Sequence, residues 1–131
     1  MSHTLLPAGW PRPKGYANGI AASGRLIFTA GVIGWDERER LVAPDLVCQF
    51  RQVLLNTLAI LAEGGAGAED VVRMTWYVTD RDDYVARLAE IGAVYRELMG
   101  KNYPAMAVVQ VAGLVERDAL IEIETTAVVP E

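Results

Sequence analysis

The sequence is poor in the residues that most often carry metal or nucleophilic chemistry: it has one cysteine, Cys48, and one histidine, His3. A single cysteine excludes an internal disulfide and any multi-cysteine metal site. A single histidine near one end leaves no histidine-based zinc site and no Ser-His-Asp triad. Positive charge is short as well. Twelve Lys and Arg against 17 Asp and Glu give a net charge of −5. Without a basic cluster the phosphate contacts that dominate nucleic-acid affinity cannot be made, so nucleic acid is not an expected partner. The longest stretch free of Lys, Arg, Asp and Glu, Asn102 to Val115, contains Pro104 and is too short to span a bilayer, so no membrane partner is expected. The opening MSHTLLPAGWPRPKG lacks the charged start and apolar run of a signal peptide, and a cytoplasmic location is expected. There is no glycine-rich phosphate loop with a following lysine and no dinucleotide fingerprint, so no cofactor and no metal is expected. The chemistry is left to carboxylates, tyrosines, backbone groups and water.

What is present is a chain of 131 residues, 52% hydrophobic and 22% charged. That suits one domain, residues 1–131, with a core that needs no staple. Residues 1–15 hold Pro7, Pro11 and Pro13 and read as an extended arm with Trp10 as an anchor. Two apolar runs, Ala17 to Ala22 and Arg25 to Gly31, meet at Ser23-Gly24, a hairpin signal. Trp35 to Leu41 is a polar loop. From Pro44 to Glu63 the residues Leu46, Phe50, Val53, Leu54, Thr57, Leu58 and Leu61 follow helical spacing, and Gly64-Gly65 ends the helix. Cys48 inside it reads as a small buried hydrophobe.

Val71 to Thr79 is rich in β-branched and aromatic residues and predicts a strand. Val72, Met74, Trp76 and Val78 share the face expected to meet the helices; Arg73, Thr75 and Tyr77 share the other. Asp80 is a plausible N-cap for a second helix with a stripe of Tyr84, Leu88, Ile91, Tyr95 and Leu98, read as core, that stops at Gly100. Ala105 to Val111 and Leu120 to Val129 are two further strands. The order β-β-α-β-α-β-β predicts an α+β fold. Two helices cover only one face of one sheet, so the other face is solvated or buried in an oligomer.

Two features stand out for chemistry. Asn102-Tyr103-Pro104-Ala105-Met106 sets a turn against an apolar strand. Ile121-Glu122-Ile123-Glu124 puts two carboxylates on one strand face. They are either exposed edge acids or, where an oligomer shields them, groups with raised pKa able to shuttle protons.

Taken together the residues resemble the RidA/YjgF family. The resemblance rests on Tyr16, on Leu26-Ile27-Phe28-Thr29-Ala30-Gly31, on Gln49 with Asn56-Thr57-Leu58-Ala59-Ile60-Leu61, and on Val71 to Asp80. It continues through Tyr103-Pro104-Ala105 and Ile121 to Ala127. It implies a chorismate-mutase-like mixed sheet with both helices on one face, a homotrimer, and clefts between subunits where reactive enamines and imines are hydrolysed. It also implies Glu122 as the catalytic acid, Tyr16 as the substrate-facing tyrosine, and Gly31 as the site glycine. Val108 and Tyr103 would line the cleft. The sequence departs from the family pattern at Met106, where the family has an arginine that grips the substrate carboxylate. With Met106, Val108 and Trp35 the cleft would be more apolar and the substrate other than 2-aminoacrylate. Three readings stay open: an enamine/imine deaminase with an altered small-molecule substrate, a non-catalytic ligand-binding or protein-interaction trimer, and an endoribonuclease-like activity. Arg73 and Arg117 are the candidates to replace the missing guanidinium.

Overall fold

The computed structural model describes residues 2–131. Its main sheet has four strands, β3 (Arg25–Phe28), β6 (Ile121–Val129), β4 (Val71–Val78) and β5 (Ala105–Gln110), in that spatial order. β3 and β4 both run antiparallel to β6, whereas β5 runs parallel to β4. The sheet is therefore mixed. The parallel pair needs a long crossover, which is supplied by α2 (Arg81–Ala86) and α3 (Leu88–Met99). The long helix α1 (Leu46–Glu63) packs beside α3 on the same face. This is the α+β architecture expected, with all helices on one side of the sheet.

α1 begins where the sequence turns helical. Pro44 precedes it, and Asp45 caps it by accepting a bond from the Cys48 N–H at 3.1 Å. That bond holds the Asp45 carboxyl below its ordinary range, so the cap is complete near neutrality and is lost as pH falls through the lowered pKa. Leu46, Phe50, Val53, Leu54 and Leu61 are buried against Met74, Trp76, Ile121 and Ile123 of the sheet. Although α1 is long and apolar enough to cross a bilayer, this buried stripe makes it a core helix. Cys48 lies off the stripe and is exposed, contrary to the buried position expected of it.

Four further details depart from the sequence reading. The arm is not wholly irregular: β1 (Ser2–Thr4) pairs antiparallel with β2 (Ile20–Ala22) in a separate two-stranded sheet. Trp10 in that arm is 59% exposed, not the buried anchor expected of it. The hairpin at Ser23-Gly24 does not form, because β2 pairs with β1 and β3 with β6. Gly24 has φ +144°, and a Cβ there would stand 2.2 Å from the Val129 carbonyl oxygen, so the glycine lets the chain pass from one sheet to the other. The second helix is broken at Arg87, whose N–H donates to the carbonyls of both Asp83 and Tyr84.

The face assignment of β4 holds from Met74 onward and slips before it. Val71 pairs with Ala127 and Arg73 with Thr126, so Val72 is an extra residue in a bulge. The core residue at this end is Val71, 6% exposed, and not Val72.

Gln49 is the polar pin of the fold. It is fully buried, its amide N–H groups donate to Ala43 O at 2.9 Å and Asp118 O at 3.1 Å, and its carbonyl accepts from Leu120 N–H at 2.8 Å. Gln49→Met conserves volume but takes the side-chain partner from three part-buried backbone groups. It should destabilise the protein by about 1–3 kcal/mol in urea unfolding, the cost of one group left unpaired, since water can pair with the carbonyl of exposed Asp118. A loss below 0.5 kcal/mol, on the order of one surface substitution, would refute the pin.

Candidate active site

Strand alternation sorts the chemically useful residues onto two faces. On β6, Ile121, Ile123, Thr125 and Ala127 are buried under the helices, and Glu122, Glu124 and Thr126 point the other way. Their partners on β4 are Tyr77, Thr75 and Arg73, and beyond those lie Val109, Ala107 and Ala105 on β5. This open face has no helix on it. It leaves Leu26 56%, Phe28 68% and Val109 43% exposed.

Glu122 is positioned at one end of that face by an irregular stretch after β3. Thr29 N–H bonds to Thr125 O at 2.9 Å, and Val32 and Ile123 exchange both backbone bonds at 2.8 and 2.9 Å. The chain takes three residue steps from Thr29 to Val32 against two from Thr125 to Ile123. Ala30-Gly31 thus bulges over Glu122. A Cβ on Gly31 would lie 2.5 Å from Glu122 Oε2, so it is the missing side chain at Gly31 that lets this carboxylate sit where it does. α1 fixes this loop from behind: Asn56 Nδ2 donates to Ile33 O at 3.2 Å and Trp35 O at 2.8 Å. Tyr77 donates to Glu124 Oε1 at 2.6 Å. That bond pushes the Tyr77 phenol up, with the Glu122 charge adding to the effect, so it remains a proton donor near neutrality. The result is a carboxylate against backbone, with a second carboxylate and a phenol along the same face.

The other expected residues gather on the helix side. Met106 and Val108 pair with Met74 and Trp76 and so face the helices. Ala17 N–H bonds to Pro104 O at 2.9 Å, which lays Tyr16 beside the start of β5. Tyr16, Tyr103, Met106 and Val108 line one cavity of about 640 Å³, together with Trp76, Tyr84, Leu88, Ile91 and Tyr95. Tyr103 stacks on Tyr95 at 5.6 Å, and Tyr95 donates its hydroxyl to Asn102 O. Burial pushes the Tyr95 and Tyr84 phenols up, so both are neutral.

One chain therefore brings Glu122 to Gly31, and Tyr16 to Tyr103, Met106 and Val108, but leaves the two groups on opposite sides of the sheet. Trp35 joins neither. It lines a separate depression with Leu41, Glu116 and Arg117. Arg73 lies on the open face and Arg117 beside Trp35, so neither borders the Met106 cavity. The cations that do border it, Lys14 and Arg96, were not anticipated, nor was the stripe of α2 and α3 as a cavity wall. The presence of Arg96 one residue beyond Tyr95 was the available signal. Among the described residues no group of three His, Cys, Asp or Glu could hold a metal ion. The exposed Cys48 thiol is pushed up by the Asp45 carboxylate, which disfavours the nucleophilic thiolate.

A protein-family model described as Endoribonuclease L-PSP matches residues 11–129. The 2-iminobutanoate/2-iminopropanoate deaminase of Salmonella typhimurium is 35% identical over 129 residues, covering 98% of each chain. The 3-aminoacrylate deaminase RutC of Acinetobacter baylyi is 34% identical over 124 residues, 94% of each. A Rid-family protein of unknown function from Yersinia pestis superposes with TM-score 0.86 at 32% identity, over 98% of each chain.

The close approach at Gly31 makes a structural prediction. In Gly31→Ala the new methyl group meets the far end of a flexible side chain, so the fold should survive and the carboxylate should move. A crystal structure should show Glu122 displaced, and Glu122→Asp in the same background, one methylene shorter, should relieve the clash. An unmoved Glu122 carboxylate in Gly31→Ala would contradict the placement.

Proposed function

The chain belongs to the RidA/YjgF family, which the Endoribonuclease L-PSP description covers, and from that premise we propose that it is an enamine/imine deaminase. Its active site would be completed between subunits of a homotrimer. The observation that carries this reading is the Glu122 carboxylate seated against Gly31 on a sheet face that no helix covers. The apolar residues left bare on that face, Leu26, Phe28 and Val109, support closure by further copies with cyclic symmetry. Contact between copies would bring Glu122 and Gly31 of one subunit to Tyr16, Tyr103, Met106 and Val108 of its neighbour.

The reaction balances with water alone. The substrate enamine tautomerises to an imine. Glu122 takes a proton from a water molecule as its oxygen bonds to the imine carbon. Glu122 returns that proton to nitrogen, giving a carbinolamine, then carries the hydroxyl proton to the same nitrogen as the C–N bond breaks and the C=O bond forms, so ammonia and a carbonyl compound leave. Tyr16 and the Gly31 backbone hold polar atoms of the substrate. Met106 supplies neither charge nor donor where a substrate carboxylate would be gripped, so small α-imino acids are held weakly. Met106 is also the one observation that favours a non-catalytic binding trimer. The endoribonuclease reading has less support: the net charge is −5 and the open face carries Glu122 and Glu124 beside a single arginine, Arg73.

The test is ammonia release in a protein that sediments as a trimer at micromolar concentration. Glu122→Gln should lower the rate on an accepted imine by about 10²–10⁴-fold, the usual worth of general acid–base catalysis. Met106→Arg should raise turnover of the imine derived from 2-aminoacrylate by at least about tenfold, since a charged contact to carboxylate is worth about 2–5 kcal/mol. A monomer, or a Glu122→Gln protein as fast as the parent, would overturn the proposal. A well-folded Met106→Arg trimer without activity would favour the binding reading.

A further inference from the structure

Between β3 and Val32 the backbone leaves its ladder with β6 and then rejoins it, and one side chain controls the exit. Phe28 pairs with Thr126, so the next antiparallel pair is Thr29 with Thr125. Thr29 N–H donates to Thr125 O at 2.9 Å, as a regular ladder requires. The return bond is not regular. Thr125 N–H donates at 3.0 Å to the Thr29 hydroxyl, where a regular pair would use the Thr29 carbonyl. The same hydroxyl donates its hydrogen to Ala30 O at 2.8 Å. A threonine hydroxyl has one hydrogen and two lone pairs, so both bonds are made at once.

The consequence lies two residues further on. The Ala30–Gly31 peptide is trans. Its planarity turns the Gly31 N–H away from the Ala30 carbonyl that Thr29 holds. Ala30 and Gly31 are exposed, and among the described residues neither N–H has a hydrogen-bond partner. Gly31 is also the residue against which the Glu122 carboxylate sits. An unpaired backbone donor and a carboxylate thus stand side by side. Their placement is set by a hydroxyl that bonds to neither.

We propose that Thr29 is a positioning residue for the hydrolysis. Its hydroxyl takes the Thr125 N–H in place of its own carbonyl, opens the ladder, and holds the Ala30 carbonyl. The Gly31 N–H is thereby presented beside Glu122 as a donor to an acceptor atom of the substrate. Without the hydroxyl, the residue 29 carbonyl recovers the Thr125 N–H, the Ala30 carbonyl is released, and the Gly31 peptide can rotate. The role deepens the deaminase reading and rests on it for the chemistry. The hold on the Gly31 peptide does not.

The experiment compares Thr29→Val, which keeps the shape and loses the hydroxyl, with Thr29→Ser, which keeps the hydroxyl. In amide spectra of the wild-type assembly the Gly31 N–H resonance should move as Glu122 titrates. Tyr77, Glu124 and Arg73 are the other titratable groups on that face, so loss of the movement in Glu122→Gln assigns it. Thr29→Val should shift the Gly31 resonance and at least halve its response to pH, whereas Thr29→Ser should match the parent. Ammonia release from 2-iminopropanoate should fall about 10–100-fold in kcat/KM for Thr29→Val, the scale of a misplacement of about 1 Å, and within about threefold for Thr29→Ser. An unchanged Gly31 resonance in Thr29→Val, or turnover by that variant as fast as the parent, would overturn the proposal. Equal losses in Thr29→Val and Thr29→Ser would also overturn it, because the hydroxyl would not be the agent. A wild-type protein that releases no ammonia from any imine, with Gly31 responding as described, would uphold the hold on the peptide and overturn the deaminase reading alone.

Discussion

All the helices lie on one side of a four-stranded sheet, and strand alternation then sends every second residue of β4, β5 and β6 to the other side. From this constraint follow both the core and the division of the chemistry. The inward set, Met74, Trp76, Ile121 and Ile123, closes on α1 and α3. Glu122, on the outward set, cannot reach the cavity that holds Tyr16 and Met106 in its own chain. The hydrolytic site proposed above would therefore be one that no single subunit completes.

Helix α1 does more than bury its stripe. Gln49 ties it to the segment entering β6, and Asn56 ties it to the segment after Gly31. The two strand ends that place Glu122 are thus held by side chains two turns apart on one helix. A carboxylate whose position depends on glycine backbone needs that backbone to be immobile, and α1 provides the restraint.

Much of this was legible from sequence, and the gaps have physical causes. Pro44 and Gly64-Gly65 marked α1, and the alternation of Glu122 and Glu124 marked the outward face of β6, because helix start and stop residues and periodicity act locally. The partner of β2 was not legible. Ser23-Gly24 has the composition of a hairpin turn, but pairing is decided by contacts far along the chain, and β2 found β1 instead. The bulge at Val72 was hidden for the same reason. Cys48 was misjudged because a small apolar residue carries little pattern information in a helix. The aromatic stripe of Tyr84, Leu88, Ile91 and Tyr95 looks alike whether it seals against a sheet or borders a cavity. Only the geometry separates the two, by leaving a cavity beside the stripe and Leu88 48% exposed.

Subunit mixing tests the division of the site most directly. Glu122→Gln removes the carboxylate and Val108→Trp fills the neighbouring cavity, so trimers of either variant alone should be inactive on an accepted imine. Unfolded together in equal amounts and reassembled, they should recover about a quarter of the wild-type rate, because random cyclic assembly pairs an intact Glu122 with an intact cavity at that frequency. Mixed trimers as inactive as the separate variants would place both groups within one subunit and contradict the division.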